Sequence, residues 1–560
     1  MQAILKPAKP SLAARLASRP FEVGVSVAFG LGLLVRGSSV LSHDFPLNDG
    51  GLFYAMMGDL QSHGYRLPAY TSYNGGDIPF AYPPLALYAG ALLADFTPLS
   101  ATDVLRFLPL TVSTLTILAF ALLARSMLGR GTAAGAATVV FALLPRSFVW
   151  MIMGGGLTRS MGLLFSVAGV WLAHRAIVYR DRRAVPAFAL AGTLAVLSHP
   201  EMPLVMALGV GVIAAFRLRD RPTAVAMALS LATIVVATAP WWATIVAWHG
   251  LDPFVQAPRS NADFQEGATA LVRILRFQVT GELLFPVMLV ACAVGFVAAV
   301  ARREYLLPVW LALAVAMDLR SFPTFAMLPA ALLAGTGWVE LIELARKAAT
   351  TRLAPPDGAL GTGRFGRYAS LLAPGLLLYY LLVSALIYAA MPTLDALDSG
   401  NRSAMAWAKA NTPPSSAFAV VSGDMGSWAQ DELSEWFPAL TGRRSVVTVQ
   451  GSEWLPHATA GKRLDEYSAL QRCAFRDARC LRDWSETWGI TFDHIYVVKG
   501  RDVQTPYAGR FGFEECCDLL RDSLLADPGY RLVYDGPAAS IFERIEPVSR
   551  QRRPARGNDS

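Results

Sequence analysis

The sequence predicts a polytopic α-helical membrane protein of about eleven transmembrane helices, followed by a hydrophilic α/β domain. Three observations carry that class. Of the 560 residues 54% are hydrophobic and 16% charged, with a mean hydropathy of +0.40, too little polar surface for a soluble protein of this length. Apolar runs of membrane-crossing length alternate with short arginine-rich breaks as far as Met391. Beyond Met391 the composition turns abruptly hydrophilic over a domain-sized stretch. The net charge of +7 comes from juxtamembrane clusters, so membrane lipids rather than nucleic acid are the expected surroundings.

The expected spans are 21–41, 104–127, 132–150, 157–178, 185–198, 202–217, 222–247, 281–301, 305–318, 322–344 and 369–391. Lys6, Lys9, Arg15 and Arg19 precede the first, which is long for a signal peptide and lacks a small-residue cleavage site, so it is read as an uncleaved helix. Arg125 and Arg130, Arg180 to Arg183, Arg217 to Arg221, Arg302 and Arg303, and Arg346 to Arg367 then fall on one side if every span crosses. Treating 185–217 as one crossing would put its flanking arginines on opposite sides; two short spans around His199-Pro200-Glu201 fit better. The first outer loop (about 42–103), the loop near 248–280 and everything after Met391 are extracytoplasmic in this scheme. The domains expected are thus 1–391, membrane-embedded and including that first loop, and 392–560, soluble.

In the C-terminal part, β-like runs at 418–422, 445–449, 494–498, 531–534 and 540–543 alternate with helical stretches at 464–475 and 513–525, the pattern of a small α/β layer. Four of the five cysteines lie there, and an exterior compartment favours disulfides over a metal site. A Cys473–Cys480 bridge with one partner from the Cys516-Cys517 pair is one arrangement, though spacing does not fix connectivity. Cys292, inside an apolar run, reads as a packed core residue.

The first loop is the chemically richest segment. His43-Asp44-Phe45-Pro46-Leu47-Asn48-Asp49-Gly50-Gly51 leads into Leu52, Met56, Met57 and Leu60 at helical spacing, an amphipathic interfacial helix. A carboxylate just outside the first span can take the proton from an attacking hydroxyl. Asp49 is equally placed to cap the helix that follows. Tyr70, Tyr73 and Tyr82 read either as ligand contacts or as belt residues, and Pro83-Pro84 sets a rigid entry to the next segment.

The aspartate after the first helix, the short helix carrying Tyr54 and the Tyr82-Pro83-Pro84-Leu85 element resemble the GT-C glycosyltransferase superfamily. So do Trp407 to Pro414 and Glu435-Trp436-Phe437-Pro438-Ala439-Leu440-Thr441-Gly442-Arg443, which are similar to the start of the outer domain in bacterial members. The resemblance covers the topology of nearly the whole chain and implies a polyprenyl-phosphate-dependent enzyme, with Asp49 as catalytic aspartate and Asp44 as runner-up. It departs from the family where many relatives place an acidic residue directly after the aspartate; here Gly50 follows, and no Asp-X-Asp pair is present. The metal is therefore left unknown, no cofactor is assigned, and a divalent cation stays an open option.

Other candidates lie at the outer helix ends. Gly154-Gly155-Gly156-Leu157-Thr158-Arg159 opens a helix, and amides at a helix N-terminus beside a guanidinium attract phosphate. A turn with a snorkelling arginine is the bland alternative. Arg320 is a second phosphate candidate, or the partner of Asp318; Arg106 reads as interfacial. His199 and Glu201, with Tyr54 and Tyr82, are candidates for substrate binding, while Pro200 gives His199 and Glu201 an equally good structural role. In the C-terminal domain Asp424, Trp428, Asp431, Glu432, Trp436 and Trp454 are either an acceptor groove or domain core.

The function expected is an extracytoplasmic-face transferase of hexose or pentose from a polyprenyl-(pyro)phosphate donor to a glycan, lipid or protein acceptor. The alternatives are a lipid or glycan transporter or flippase, or a non-catalytic GT-C-like assembly subunit. A transporter would show inverted repeats and broken helices near mid-membrane, and the sequence shows no repeat.

Overall fold

The computed structural model describes residues 18–263, 279–317, 322–352, 362–424, 428–505 and 510–545. Each expected span corresponds to helix. Among the described residues five helices are long and apolar enough to cross a membrane: α1 (Pro20–Ser42), α4 (Ala101–Leu128), α6 (Gly156–Val178), α9 (Arg221–His249), and 323–344 within α13 (Phe322–Arg352). The chain is a multi-pass membrane protein by this measure. α7 (Ala184–Val196), α8 (Met202–Arg217), α11 (Val287–Ala301), α12 (Leu306–Met317) and Gly375–Ala389 of α14 (Thr362–Ala389) are apolar but shorter, so eleven crossings do not follow from helix length alone. Residues 85–96, read from sequence as loop, form a further apolar helix, α3 (Leu85–Phe96).

The expected span 132–150 is broken. α5 (Thr132–Leu143) and the following Pro145–Ile152 segment meet at a bend of 75°. Pro145 has no N–H to continue the helical ladder. Arg36, from the middle of α1 and fully buried, takes up oxygens exposed by the break. Its guanidinium donates to Ala142 O (2.7 Å), to Ser147 O (3.3 Å) and Oγ (3.2 Å), and to Ser113 Oγ (3.0 Å) on α4. It also lies 5.5 Å from the Phe148 ring centroid. Arg36 was not among the sequence candidates, although a charge inside an apolar run was the available signal.

Small residues let helices approach closely. A Cβ at Gly295 of α11 would lie 2.0 Å from Leu333 O of α13. Only glycine fits there, so Gly295 fixes the spacing of that pair.

The chain folds as two compact units. One comprises the described residues of Met1–Leu47, Ala81–Gly250 and Ala262–Asp395; the other those of Asn48–Phe80, Leu251–Asn261 and Ala396–Ser560. This differs from the division at 391/392 in one respect that matters. The middle of the first loop folds with the C-terminal chain. The physical reason lies in that loop's own partners. α2 (Gly51–Ser62) packs on α16 (Glu432–Thr441), and Asn74 Oδ1 accepts the Ser445 amide at 2.8 Å.

The second unit carries a five-stranded sheet of order β4-β3-β5-β9-β8. β3 (Ala417–Val421) runs parallel to β4 (Arg444–Ser445) and to β5 (His494–Val498), while β8 (Tyr530–Asp535) and β9 (Ala539–Arg544) form an antiparallel edge. The register places Val420 beside Tyr496 and Ile495 beside Phe542, all buried. Four of the five β-like runs of the sequence lie in strands; of 445–449 only Ser445 does, in β4. The helix expected over 513–525 begins only at Asp518; residues 510–515 are β7, which pairs with β6 (Gly500–Thr505) as a separate hairpin. Both disulfides join near neighbours, Cys473–Cys480 and Cys516–Cys517, so no bridge links the two cysteine pairs. Cys292 is buried and free, as its apolar run implied.

Candidate active site

In the second unit the site is built around the turn Asn48-Asp49-Gly50-Gly51. Asn48 (φ 51°) and Gly50 (φ 130°) take left-handed backbone conformations, which asparagine tolerates and glycine adopts freely. Helix α2 begins at Gly51 with Gly50 as its N-cap, and no side chain caps it. The N-cap position is thus held by Gly50 and not by Asp49. Asp49 is 6% exposed, whereas Asp44, the runner-up, is exposed and belongs to the other unit.

Helix α16 clamps this turn. Trp436 Nε1 donates to Asn48 O at 2.9 Å, and the Gly50 amide donates to Glu435 Oε1 at 2.9 Å. The Tyr73 hydroxyl donates to Glu435 O at 2.7 Å. Gly51 lies so close that a Cβ there would be 2.7 Å from Glu435 O. Tyr54 sits beside Trp436, ring centroids 6.0 Å apart.

Glu435 is 7% exposed. Burial, reinforced by the charge of Asp49, pushes its carboxyl up to about 8, against the pull of the Gly50 and Leu52 amides. A second carboxyl group thus stands by Asp49, but it comes from 386 positions along the chain (435 − 49) rather than from the adjacent residue. The sequence marked Glu435 only as part of a motif; its chemical role was not legible there.

Several second-unit candidates prove structural. Asp431 caps α16 and accepts from Ser434 N, Ser422 Oγ and Tyr467 Oη. Trp436 and Trp454 are buried, so neither offers a face to a sugar ring. Asp59 accepts from Thr71 Oγ1 (2.6 Å) and Ser72 N (2.9 Å), tying α2 to the strand Tyr70–Thr71.

In the first unit, Tyr82, Thr158, His199 and Glu201 come together. The Tyr82 and His199 rings meet edge-on at 5.9 Å, and Thr158 Oγ1 donates to the Tyr82 hydroxyl at 3.4 Å. The Glu201 amide donates to His199 Nδ1 at 3.1 Å, so the neutral ring carries its proton on Nε2. Gly162 makes room for this corner: a Cβ there would be 2.9 Å from His199 Cβ.

Arg159 stands nearby on α6, 5.2 Å from the Trp150 ring centroid. Three of the amides before it are engaged by protein. Gly154 N donates to Leu47 O (2.9 Å), Gly156 N to Met153 O (2.9 Å) and Leu157 N to Gly154 O (3.2 Å). Those three amides are not open to an anion. Arg106 donates to His43 O and pairs with Asp103 at 3.7 Å, closing the end of α1. Asp318 and Arg320 lie outside the described residues. Among the described residues no group of three or more His, Cys, Asp or Glu side chains is arranged to hold a metal ion.

The architecture, apolar helices joined to a sheet-containing C-terminal region, is the GT-C fold. No protein-family model matches the sequence, and no curated protein does. The likeness is to solved structures. The oligosaccharyltransferase AglB from Archaeoglobus fulgidus, in complex with an inhibitory peptide and a dolichol-phosphate, is 15% identical with a TM-score of 0.57, over 93% of this chain and 80% of that one. The same organism's oligosaccharyltransferase tethered to an acceptor peptide is 14% identical with a TM-score of 0.59, over 92% and 79%. The arabinofuranosyltransferase AftD from Mycobacteria is 17% identical with a TM-score of 0.55, over 93% of this chain but 40% of AftD.

Proposed function

We propose that this protein is an integral-membrane glycosyltransferase that moves a sugar from a polyprenyl-(pyro)phosphate donor to an acceptor hydroxyl or amide on the extracytoplasmic face. The observation that carries the reading is the buried Asp49, set between Asn48 and Gly50 in a turn of left-handed backbone, in a chain with the GT-C fold. Solved GT-C structures bound to a dolichol-phosphate and to acceptor peptides support the substrate class.

In this mechanism the acceptor oxygen or nitrogen attacks the anomeric carbon while the bond from that carbon to the phosphate oxygen breaks. Asp49 takes the acceptor's proton. The electron pair leaves with the lipid phosphate, whose charge Arg159 and Arg320 stabilise. Tyr54, Tyr82, His199 and Glu201 contact the substrates. The C-terminal domain is extracytoplasmic.

The test uses the full chain in lipid nanodiscs with a panel of polyprenyl-phosphate-linked hexoses and pentoses. Asp49→Asn keeps the shape and removes the base, so turnover should fall about 10²–10⁴-fold with folding unchanged. Arg159→Ala should weaken donor binding more than acceptor binding. Retained turnover in Asp49→Asn would move the base elsewhere, and lipid flipping without sugar transfer would favour the transporter.

A further inference from the structure

Glu435 is a buried acid whose side chain turns toward the Asn48–Gly51 turn. Its Oε1 accepts the Gly50 amide at 2.9 Å, and the Leu52 amide also points at the carboxyl group. Its own carbonyl is held by Tyr73 Oη at 2.7 Å, and the next residue, Trp436, holds Asn48 O. The turn is therefore gripped on both sides of Asp49, and the grip runs through one short stretch of α16.

We propose that Glu435 is a positioning residue for Asp49: its carboxyl group, together with the indole of the residue that follows it, fixes the Asn48–Gly51 turn that carries Asp49. The inference rests on the reading of Asp49 as base. The charge environment agrees with it. The titratable groups facing Glu435 are Asp49 on the turn and Glu453 on the Ser452–Trp454 turn, both of which disfavour its ionisation. Tyr73 packs against it, and Asp431 and Arg463 act on that tyrosine with opposite sign. Two carboxylates in one buried site cannot both ionise cheaply, and burial together with the neighbouring Asp49 pushes the Glu435 carboxyl up. Above about pH 8 Glu435 ionises, the two charges repel, and the turn loses its geometry.

The full chain in nanodiscs allows two readouts. Infrared difference spectra of the wild type against Glu435→Gln should show one protonated carboxyl at neutral pH that disappears with a midpoint near 8, and Asp49→Asn should move that midpoint down. With the polyprenyl-phosphate sugar panel, the wild-type rate should fall about tenfold per pH unit above that midpoint. Glu435→Gln, which keeps an acceptor for Gly50 and cannot ionise, should lose that alkaline limb. Glu435→Ala should lower kcat at every pH, with little change in KM. If no protonated carboxyl titrates at residue 435, or if the limb persists unchanged in Glu435→Gln, the inference is overturned. Carbon-13 labelling of glutamate carboxyls in the wild-type chain gives the titration even where the glutamine variant does not fold. Turnover retained by Asp49→Asn refutes the base reading itself; turnover lost there with an unchanged limb in Glu435→Gln refutes only the role of Glu435.

Discussion

Replacing Gly51 by alanine separates packing from helix propensity at the turn that carries Asp49. Gly51 opens α2, where alanine favours the helix by up to about 1 kcal/mol. The added Cβ, however, would sit 2.7 Å from Glu435 O, 3.2 Å from Glu435 C and 3.2 Å from Trp436 Cα. These are backbone atoms of a packed helix and cannot rotate aside. Overpacking of this kind costs about 1–3 kcal/mol, so the net effect is destabilising by about 1–2 kcal/mol. Gly58 on the same helix is the matched control. It is exposed with nothing within 4 Å of its Cβ position, and alanine there should stabilise by about 0.5–1 kcal/mol. Thermal unfolding of the full chain in detergent should shift down for Gly51→Ala and up for Gly58→Ala, by about 2–4 °C per kcal/mol. Turnover should drop in the first and persist in the second, because only the first moves the Asp49 turn. If the two variants melt alike, or Gly51→Ala is the more stable, the close approach of α2 to α16 is not what holds the turn.

Two further outcomes are expected. Arg36→Lys should lower the melting temperature nearly as much as Arg36→Met, because one ammonium cannot reach Ser113, Ala142 and Ser147 together; full rescue by lysine would mean that charge alone suffices. Glu435 should also make stability depend on pH. Below its ordinary value of about 4.5 it is protonated folded or unfolded; between about 4.5 and 8 only the folded chain keeps the proton, so stability falls as pH rises and levels off above about 8. Melting curves across that window should flatten in Glu435→Gln, and an unchanged slope would show that another group is responsible.

The helices were legible because an apolar run of some twenty residues leaves few alternatives. The runs at 21–41, 104–127, 157–178 and 222–247 match α1, α4, α6 and α9 closely. Hydropathy could not reveal the 75° break after α5, because the bend depends on Pro145 together with Arg36 from another helix. Nor could it place α3, whose twelve residues are too short for the span criterion. In the C-terminal part β-like runs picked out β3, β5, β8 and β9, but the β6–β7 hairpin carries charged residues on both strands, and Phe513 was read into the helix that follows. Asp49 stood out because an acid between apolar runs next to paired glycines is conspicuous. Glu435 was visible only inside a motif and Trp436 only as groove or core, since nothing local tells a buried acid from a surface one.

Composition and periodicity by themselves determined that this chain is helical, membrane-spanning and followed by an α/β region, because the cost of exposing apolar surface or burying charge acts on each segment separately. Tertiary structure alone decided that residues 48–80 fold with the C-terminal chain and that Asp49 has Glu435 for a neighbour. Those are properties of pairs of distant segments, and the energy that selects them, hydrogen bonds across the Asn48–Gly51 turn and the close fit of Gly51, exists only once both segments are in place.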